Sequence, residues 1–442
     1  MQHYSSRCYV KRTGLELDSM LSLSQLTRFI RTDVLWVITG QFIALIVGLL
    51  SLKIFTTLFS AQEYAFIALM MALSGWIWTG LYLPLNQTIF RFYSLSLEQG
   101  WQNTFFSYIW HYEKRVAALV AGIALVLLMY GLVTSQADSF LWLVILSSVL
   151  GVMYGVIHGS VSFFVAQRRR KPITLIQSCD GAMRLAGGLI AFYWVSQSVF
   201  VTATGMVAAG IVVFIVVVWF LMKQISVDGD AEIPLRSKEN QHAFSSYFKK
   251  MGGVMMLNAS IIHLDKWLLL PLLGAEGLGQ YAAVYLLAMT ITAIMYAFFE
   301  MLAFPLILNQ SSEKRRQTYQ RLTTLSYTVC LVLIVSIIHL FGYELLLFLT
   351  TDYVANQYET FTLLVLACGL LNLGRVTMVQ GQVDLQPHKY WPAYLVLLCF
   401  FISWCLLFVG VDGGTIAAQG YVYGTLLFVV ITAMLNKRKV QQ

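Results

Sequence analysis

Seven ionisable residues interrupt stretches of this chain that are otherwise apolar: the bases Lys53, Arg184, Lys266 and Arg375, and the acids Asp180, Asp265 and Glu300. A charge at the centre of a membrane helix costs about 2.5–3.5 kcal/mol on insertion scales, so such residues face a cavity or a partner and mark sites by default. Arginine and lysine in a cavity can compensate a phosphate-bearing or acidic solute, and the guanidinium fork suits phosphate oxygens. Acids in the same setting relay protons or sodium, which makes Asp265 and Glu300 candidates for ion coupling. Asp180 and Arg184 are spaced i, i+4 and can pair on one helix. Arg184 is therefore either a cavity cation or half of a structural pair beside a tight face of Gly181, Ala182, Gly187 and Gly188. Asp265 and Lys266 are adjacent and point about 100° apart on a helix, so they are expected to face different surroundings. Lys53 and Arg375 lie nearer span ends, where a long side chain also snorkels to water. His158, His263 and His339 lie in apolar stretches as well and read first as packed core histidines.

These residues are carried by a chain of 442 residues that is 58% hydrophobic and only 11% charged, with a mean hydropathy of +0.72. Soluble domains carry about 25% charged residues, and the apolar blocks here approach the ~20 residues that span a hydrocarbon core. The spacing predicts twelve spans, at 34–59, 63–85, 116–134, 140–165, 173–195 and 199–222 in the first half. The second half gives 251–273, 280–304, 322–342, 357–380, 391–410 and 414–435. A polar segment at 223–250 reads as a linker with an amphipathic end, between a first bundle at 34–222 and a second at 251–435. Residues 1–33 and 436–442 read as polar tails. Of the 29 Lys and Arg residues, four lie in spans, and the remaining 25 all fall in the tails, the linker and alternate loops. The opposite loops, SAQE at 60–63, VTSQADS at 133–139, VSQSV at 195–199, LGAEGLG at 273–279, the segment 342–359 and GVDGG at 410–414, hold none. Cytoplasmic loops collect basic residues, so both termini are expected in the cytoplasm. The same topology accounts for the +8 net charge without a nucleic-acid partner.

The remaining sequence signals narrow the chemistry. The six cysteines form no CxxC or Cys/His cluster, so neither a metal nor a disulfide framework is expected. No P-loop, GxSxG or HExxH is present; no catalytic residue or cofactor is expected, and energy is expected from an ion gradient. The first apolar block is too long for a cleavable signal, and Met20 is a second plausible start. Trp76, Trp78, Trp142, Trp194, Trp219 and Trp391 read mostly as interface anchors.

The two halves echo each other. SAQEYAFIALMMA at 60–72 matches LGAEGLGQYAAVYLLA at 273–288, so Tyr64 corresponds to Tyr281. Both tyrosines follow an odd-numbered span, which makes the repeat parallel, with its axis along the membrane normal. The stretches GLLSLKIFTTLFSAQEYAFIAL, NASIIHLDKWLLLPLLGAEGLGQYAAVYLLA and FGYELLLFLTTDYVANQYETFTLLVLACGLLN resemble the polysaccharide transporter, or Wzx-type oligosaccharide flippase, family. That family shares a superfamily with MATE drug antiporters and with lipid II flippases, whose two additional spans are not found here. The resemblance, over most of residues 20–435, implies an all-α integral membrane protein of twelve transmembrane helices in two six-helix bundles around a central cavity. It implies a transporter, not an enzyme, that moves undecaprenyl-pyrophosphate-linked oligosaccharides, such as O-antigen repeat units, from the inner to the outer leaflet of the bacterial inner membrane. Membrane lipids and the polymerase and chain-length proteins of the same pathway would be its other partners. On that reading Arg184 and Lys266 contact the pyrophosphate, Lys53 acts later on the route, and Arg91 and Arg375 attract the headgroup on arrival. Asp180, Asp265 and Glu300 serve charge pairing or ion coupling. A cation-coupled multidrug exporter is the alternative; it would favour acids over bases in the spans. A membrane polymerase or acyltransferase fits less well, because the longest loop opposite the basic side, 342–359, has no arginine.

Overall fold

The computed structural model describes residues 23–133, 138–167, 169–224, 237–304, 307, 312–379, 381, 386–410 and 413–437. In hydrocarbon every backbone polar group must be satisfied within its own segment, which leaves helices as the solution for chains this apolar. The first half forms α1 (Leu23–Leu58), α2 (Ala61–Ile77), a π-helical turn (Trp78–Tyr82), α3 (Leu83–Glu98), α4 (Gln102–Val133), α5 (Asp138–Ala166), α6 (Arg170–Trp194) and α7 (Val199–Gln224). The second half forms α8 (Ser237–His263), α9 (Asp265–Leu302), α10 (Glu313–Leu349), the short α11 (Asp352–Ala355), α12 (Tyr358–Thr377), a 3-10 turn (Pro387–Tyr390), α13 (Trp391–Phe408) and α14 (Gly414–Lys437).

Among the described residues ten stretches are long and apolar enough to cross a membrane. The longest, at 242–300, is two crossings folded at Gly274, whose φ of 70° and ψ of 175° no other residue type adopts without strain. The charged α6 is the twelfth. The chain is thus an all-α membrane protein of twelve crossings in two six-helix bundles, a parallel repeat around a central cavity.

Several local features explain why the helices start and stop where they do. The SAQE loop is a capping box: Ser60 accepts from the Glu63 N–H at 3.3 Å, and the Glu63 carboxylate accepts from the Ser60 N–H at 3.0 Å. The second crossing does not stay α-helical. Pro84 offers no N–H to the Gly80 carbonyl, and the chain widens into the π turn, closed by the Leu83 N–H donating to the Trp78 carbonyl. The seventh crossing is interrupted at Leu264, between α8 and α9. There the Ile262 carbonyl accepts from the Lys266 ammonium and the Tyr285 hydroxyl, both at 3.1 Å, and these side chains compete with the helical ladder.

Apolar windows under-read helix length. The third and ninth crossings, expected at 116–134 and 322–342, begin at Gln102 and Glu313. Hydropathy registers only the apolar part of a helix that continues into a polar flank. Lys114, Arg115 and Arg316 therefore sit on helices and not in loops. Segment 342–359, expected as a loop, is helix to Leu349 and again at α11 and from Tyr358. In the expected linker, residues 225–236 lie outside the described residues. From Ser237 the chain is already helix, and its amphipathic end docks on the first bundle: Phe244 meets Phe92 at 5.7 Å, and Arg91 lies 5.1 Å over the Tyr247 ring.

The bundles join through the two segments that the repeat matches. The equivalent second crossings of each half, α2 and the part of α9 beyond Gly274, pack on each other, and Gly279 lies against the Ala61 carbonyl so closely that a Cβ has no room. On that side, which lacks basic loops, Lys53 of α1 donates to the Thr350 carbonyl and, at 3.3 Å, to the Leu347 carbonyl. Tyr353 donates to the Thr56 carbonyl at 3.2 Å. Within the first bundle α6 and α7 cross through small residues, with a Cβ at Gly187 only 2.6 Å from the Gly205 carbonyl oxygen. Gly187 and Gly188 form that face as expected; Ala182 instead points outward and is exposed.

Candidate functional site

A cavity of about 550 Å³ lies between the bundles. Its walls come from one face of α1 (Gln41 to Phe55), from α2 and the π turn, from α5 and α6, and from the interrupted seventh and the eighth crossings. Most of the lining is apolar. The charge is concentrated at two places, one from each bundle.

The first is on α6. Asp180 and Arg184 are 7% and 5% exposed and form a buried ion pair through Asp180 Oδ2 and Arg184 Nη2. Arg184 Nε also donates to the Asp180 carbonyl at 3.3 Å. The guanidinium lies 3.8 Å over the Tyr154 ring of α5, a cation–π contact that strengthens away from water. His158, one turn further along α5, stacks on Trp78 at 4.4 Å. Both readings of Arg184 from the sequence hold geometrically: it is paired, and it lines the cavity.

The second place is the helix break. Lys266 is 7% exposed and lines the cavity, while Asp265 sits behind it, 5% exposed. The two were expected to diverge by about 100°. They pair instead: the four-carbon stem bends the ammonium back to Asp265 Oδ1 at 2.8 Å and Oδ2 at 3.0 Å. With Ile262 as third acceptor and the Tyr285 ring 3.5 Å away, the Lys266 ammonium has all three protons engaged. Arg184 differs, because its Nη1 is buried and has no hydrogen-bond partner. Each cation is matched by a carboxylate, so these four side chains carry no net formal charge.

The other expected site residues lie elsewhere. Lys53 does not line the cavity; it bridges the bundles through backbone carbonyls. Arg375 is held inside the second bundle, donating to Asn372 Oδ1 at 2.8 Å and Asn258 Oδ1 at 2.6 Å. Arg91 is exposed beside the docked end of α8. Glu300 is exposed near the end of α9 and not beside Asp265. His158 and His263 line the cavity, whereas His339 faces outward. Among the described residues no three His, Cys, Asp or Glu side chains come together as a metal site.

Sequence reasoning missed Trp78, Tyr154, Ser178 and Tyr285. Trp78 was grouped with the interface anchors, yet it lines the cavity, and Trp76 donates across the bundles to Ser260 at 3.2 Å. Their position in mid-crossing, more than ten residues from the SAQE turn, was the available signal. Trp142, Trp194, Trp219 and Trp391 are exposed, as anchors are.

No family model and no curated protein matches this sequence. Solved structures do. An inward-facing multidrug resistance MATE transporter of the MOP superfamily superposes with a TM-score of 0.60 at 12% identity, covering 90% of this chain and 95% of that one. The Vibrio cholerae MATE transporter VcmN, as a point mutant, gives 0.59 at 14% identity over 95% and 98%. A MOP superfamily transporter from Pyrococcus furiosus, described as having a binding pocket of reverse polarity that suggests a different function, gives 0.53 at 12% identity over 93% of each chain. The chain has the fold of these transporters.

Proposed function

We propose that the chain is a transporter of the MATE-like superfamily. Its substrate would be an anionic lipid-linked oligosaccharide, with undecaprenyl pyrophosphate as carrier, flipped across the bacterial inner membrane by ion-coupled alternating access. The observation that carries this reading is Arg184 on the central cavity, with a buried guanidinium nitrogen still free to donate, facing the same space as Lys266 of the other bundle. Moving a pyrophosphate through hydrocarbon needs compensation by donors and positive charge. A cavity shared by both bundles is the place where rocking of one against the other exposes a ligand to either side. The cavity volume falls within the ~300–1,000 Å³ range of small-ligand sites, enough for a headgroup and its first sugars, with the polyprenyl chain left in lipid.

The test is a strain lacking the gene, its undecaprenyl-linked glycans assigned to a leaflet, complemented with wild type or with Arg184→Gln. Intact repeat units held on the cytoplasmic face and released by wild type alone support the reading. Normal surface glycan with new sensitivity to cationic dyes sinks it. That outcome belongs to a second reading, export of organic cations, which one observation favours: Asp180 Oδ1 is also buried without a partner and could accept from a cation.

A further inference from the structure

Four cavity-lining side chains of the first bundle carry a buried polar atom without a hydrogen-bond partner: Trp78 Nε1, Ser178 Oγ, Asp180 Oδ1 and Arg184 Nη1. The Arg184 side chain is more than nine-tenths buried and that of Asp180 nearly so, at 6% and 11% exposed. Asp180 and Arg184 lie one turn apart on one face of α6, whereas Ser178, about 160° around the helix, lines the cavity from another face. Arg184 rests on Tyr154, and the Tyr154 ring lies 6.2 Å from Trp78. The π turn begins at Trp78, and such turns inside α-helices recur at functional sites. Buried polar atoms are rarely left unpaired.

The orphans specify a ligand by their chemistry. Arg184 Nη1 and Trp78 Nε1 can only donate, Asp180 Oδ1 can only accept while ionised, and Ser178 can do either. A bare diphosphate satisfies the donors and repels the carboxylate. A cation satisfies the carboxylate and leaves the donors unmet. A sugar joined to a phosphate satisfies both, through phosphate oxygens and a ring hydroxyl. We infer that Trp78, Asp180 and Arg184 form a subsite for the phosphate and the first sugar of the substrate, with Asp180 selecting for the sugar. This rests on the transport reading above and adds a specificity-determining role to a residue otherwise assigned to charge pairing.

The test is binding to the purified full-length chain in nanodiscs. The probes are farnesyl diphosphate, farnesyl diphosphate carrying N-acetylglucosamine, and tetraphenylphosphonium. A hydrogen bond to a charged group is worth roughly a 10- to 100-fold affinity difference. The sugar-bearing probe is therefore expected to bind at least about tenfold more tightly than the bare diphosphate. Asp180→Asn should cut that ratio several-fold, and Trp78→Phe, which keeps a ring and removes the N–H, should weaken both diphosphates alike. If Asp180→Asn does not fold, the wild-type ratio of the two diphosphate affinities and the Trp78→Phe variant carry the test. Equal affinities for the two diphosphates in wild type, or variants that leave both affinities unchanged, overturn the sugar subsite while anion transport stands. Binding of tetraphenylphosphonium with neither diphosphate overturns both.

Discussion

Replacing Arg184 separates the structural and the functional meaning of its ion pair. Arg184 and Asp180 are 5% and 7% exposed, so Arg184→Gln leaves a carboxylate buried without its counter-charge. Breaking a buried pair from one side costs about 3–5 kcal/mol. Because both side chains line a cavity, the low end applies, about 3 kcal/mol, or roughly a 100-fold fall in the folded-to-unfolded ratio. Removing both charges, with Asp180→Asn added to Arg184→Gln, abolishes the uncompensated charge and should recover most of the loss. The assay is thermal unfolding of the detergent-purified proteins alongside glycan transport in the deletion strain. The expected pattern is a less stable single variant, a double variant near wild-type stability, and no transport by either. Transport restored together with stability in the double variant would falsify the cavity role and leave Arg184 as half of a structural pair. An Arg184→Gln protein as stable as wild type would show that the pair is not desolvated as its burial implies.

Lys53→Met removes the ammonium that ties α1 to the Leu347 and Thr350 carbonyls. Hydrogen bonds from a charged donor contribute about 1.5–3 kcal/mol. A cysteine at cavity-lining Ser51 should therefore react at least several-fold faster with an impermeant maleimide from the base-poor side, and unchanged labelling refutes a closing role for Lys53. Gly279→Val drives a side chain into the Ala61 backbone and should greatly reduce the yield of folded protein, whereas Gly122→Ala, with nothing within 4 Å of its Cβ, should be neutral; equal yields would refute the close approach. Arg375→Met unties Asn258 and Asn372 and should lower thermal stability without altering diphosphate affinity, and Arg375→Lys should recover only part because an ammonium lacks the fork. Loss of affinity in a folded Arg375→Met protein would place that residue in the ligand path after all.

What could be read from the sequence was whatever depends on local composition. The apolar blocks, the one-sided distribution of lysine and arginine, and the match of Tyr64 with Tyr281 carry the twelve crossings and the repeat. The structure adds the consequence that the matched segments touch, through Ala61 and Gly279. The two cations that share the cavity, Arg184 and Lys266, were identifiable because an intramembrane charge is costly wherever it points. Lys53 and Arg375 carry the same cost and were indistinguishable by that criterion, since what separates them is a partner about 297 residues away for Lys53 and 117 for Arg375. The π turn at Trp78 and the break at Leu264 escaped for a different reason. The first follows from a donor that Pro84 lacks, the second from two side chains sharing the Ile262 carbonyl, one of them a tyrosine 23 residues on, and hydrophobic periodicity records neither.

The neutral pairing of the cavity cations has a consequence for transport of a highly charged headgroup. An unpaired arginine and lysine in low dielectric would hold a pyrophosphate strongly, and a site that binds too well does not release; conduction through membranes requires binding strong enough to admit and weak enough to let go. A carboxylate beside each cation lowers the net attraction, because the phosphate must displace or share the existing partner. The two pairs differ in how much they leave over. Lys266 has every proton engaged, so a ligand can gain it only by exchange with Asp265 or with the Ile262 carbonyl. Arg184 keeps one nitrogen free. On the proposed reading the headgroup meets Arg184 first and draws Lys266 afterwards, and that second exchange disturbs the bond to the Ile262 carbonyl at the break in the crossing that begins the second bundle. Ligand binding in the first bundle is thereby coupled to a bend in the second. Lys266→Arg should accordingly preserve diphosphate binding and slow transport. Slowed transport with binding intact supports that order, and loss of binding places Lys266 in the initial contact.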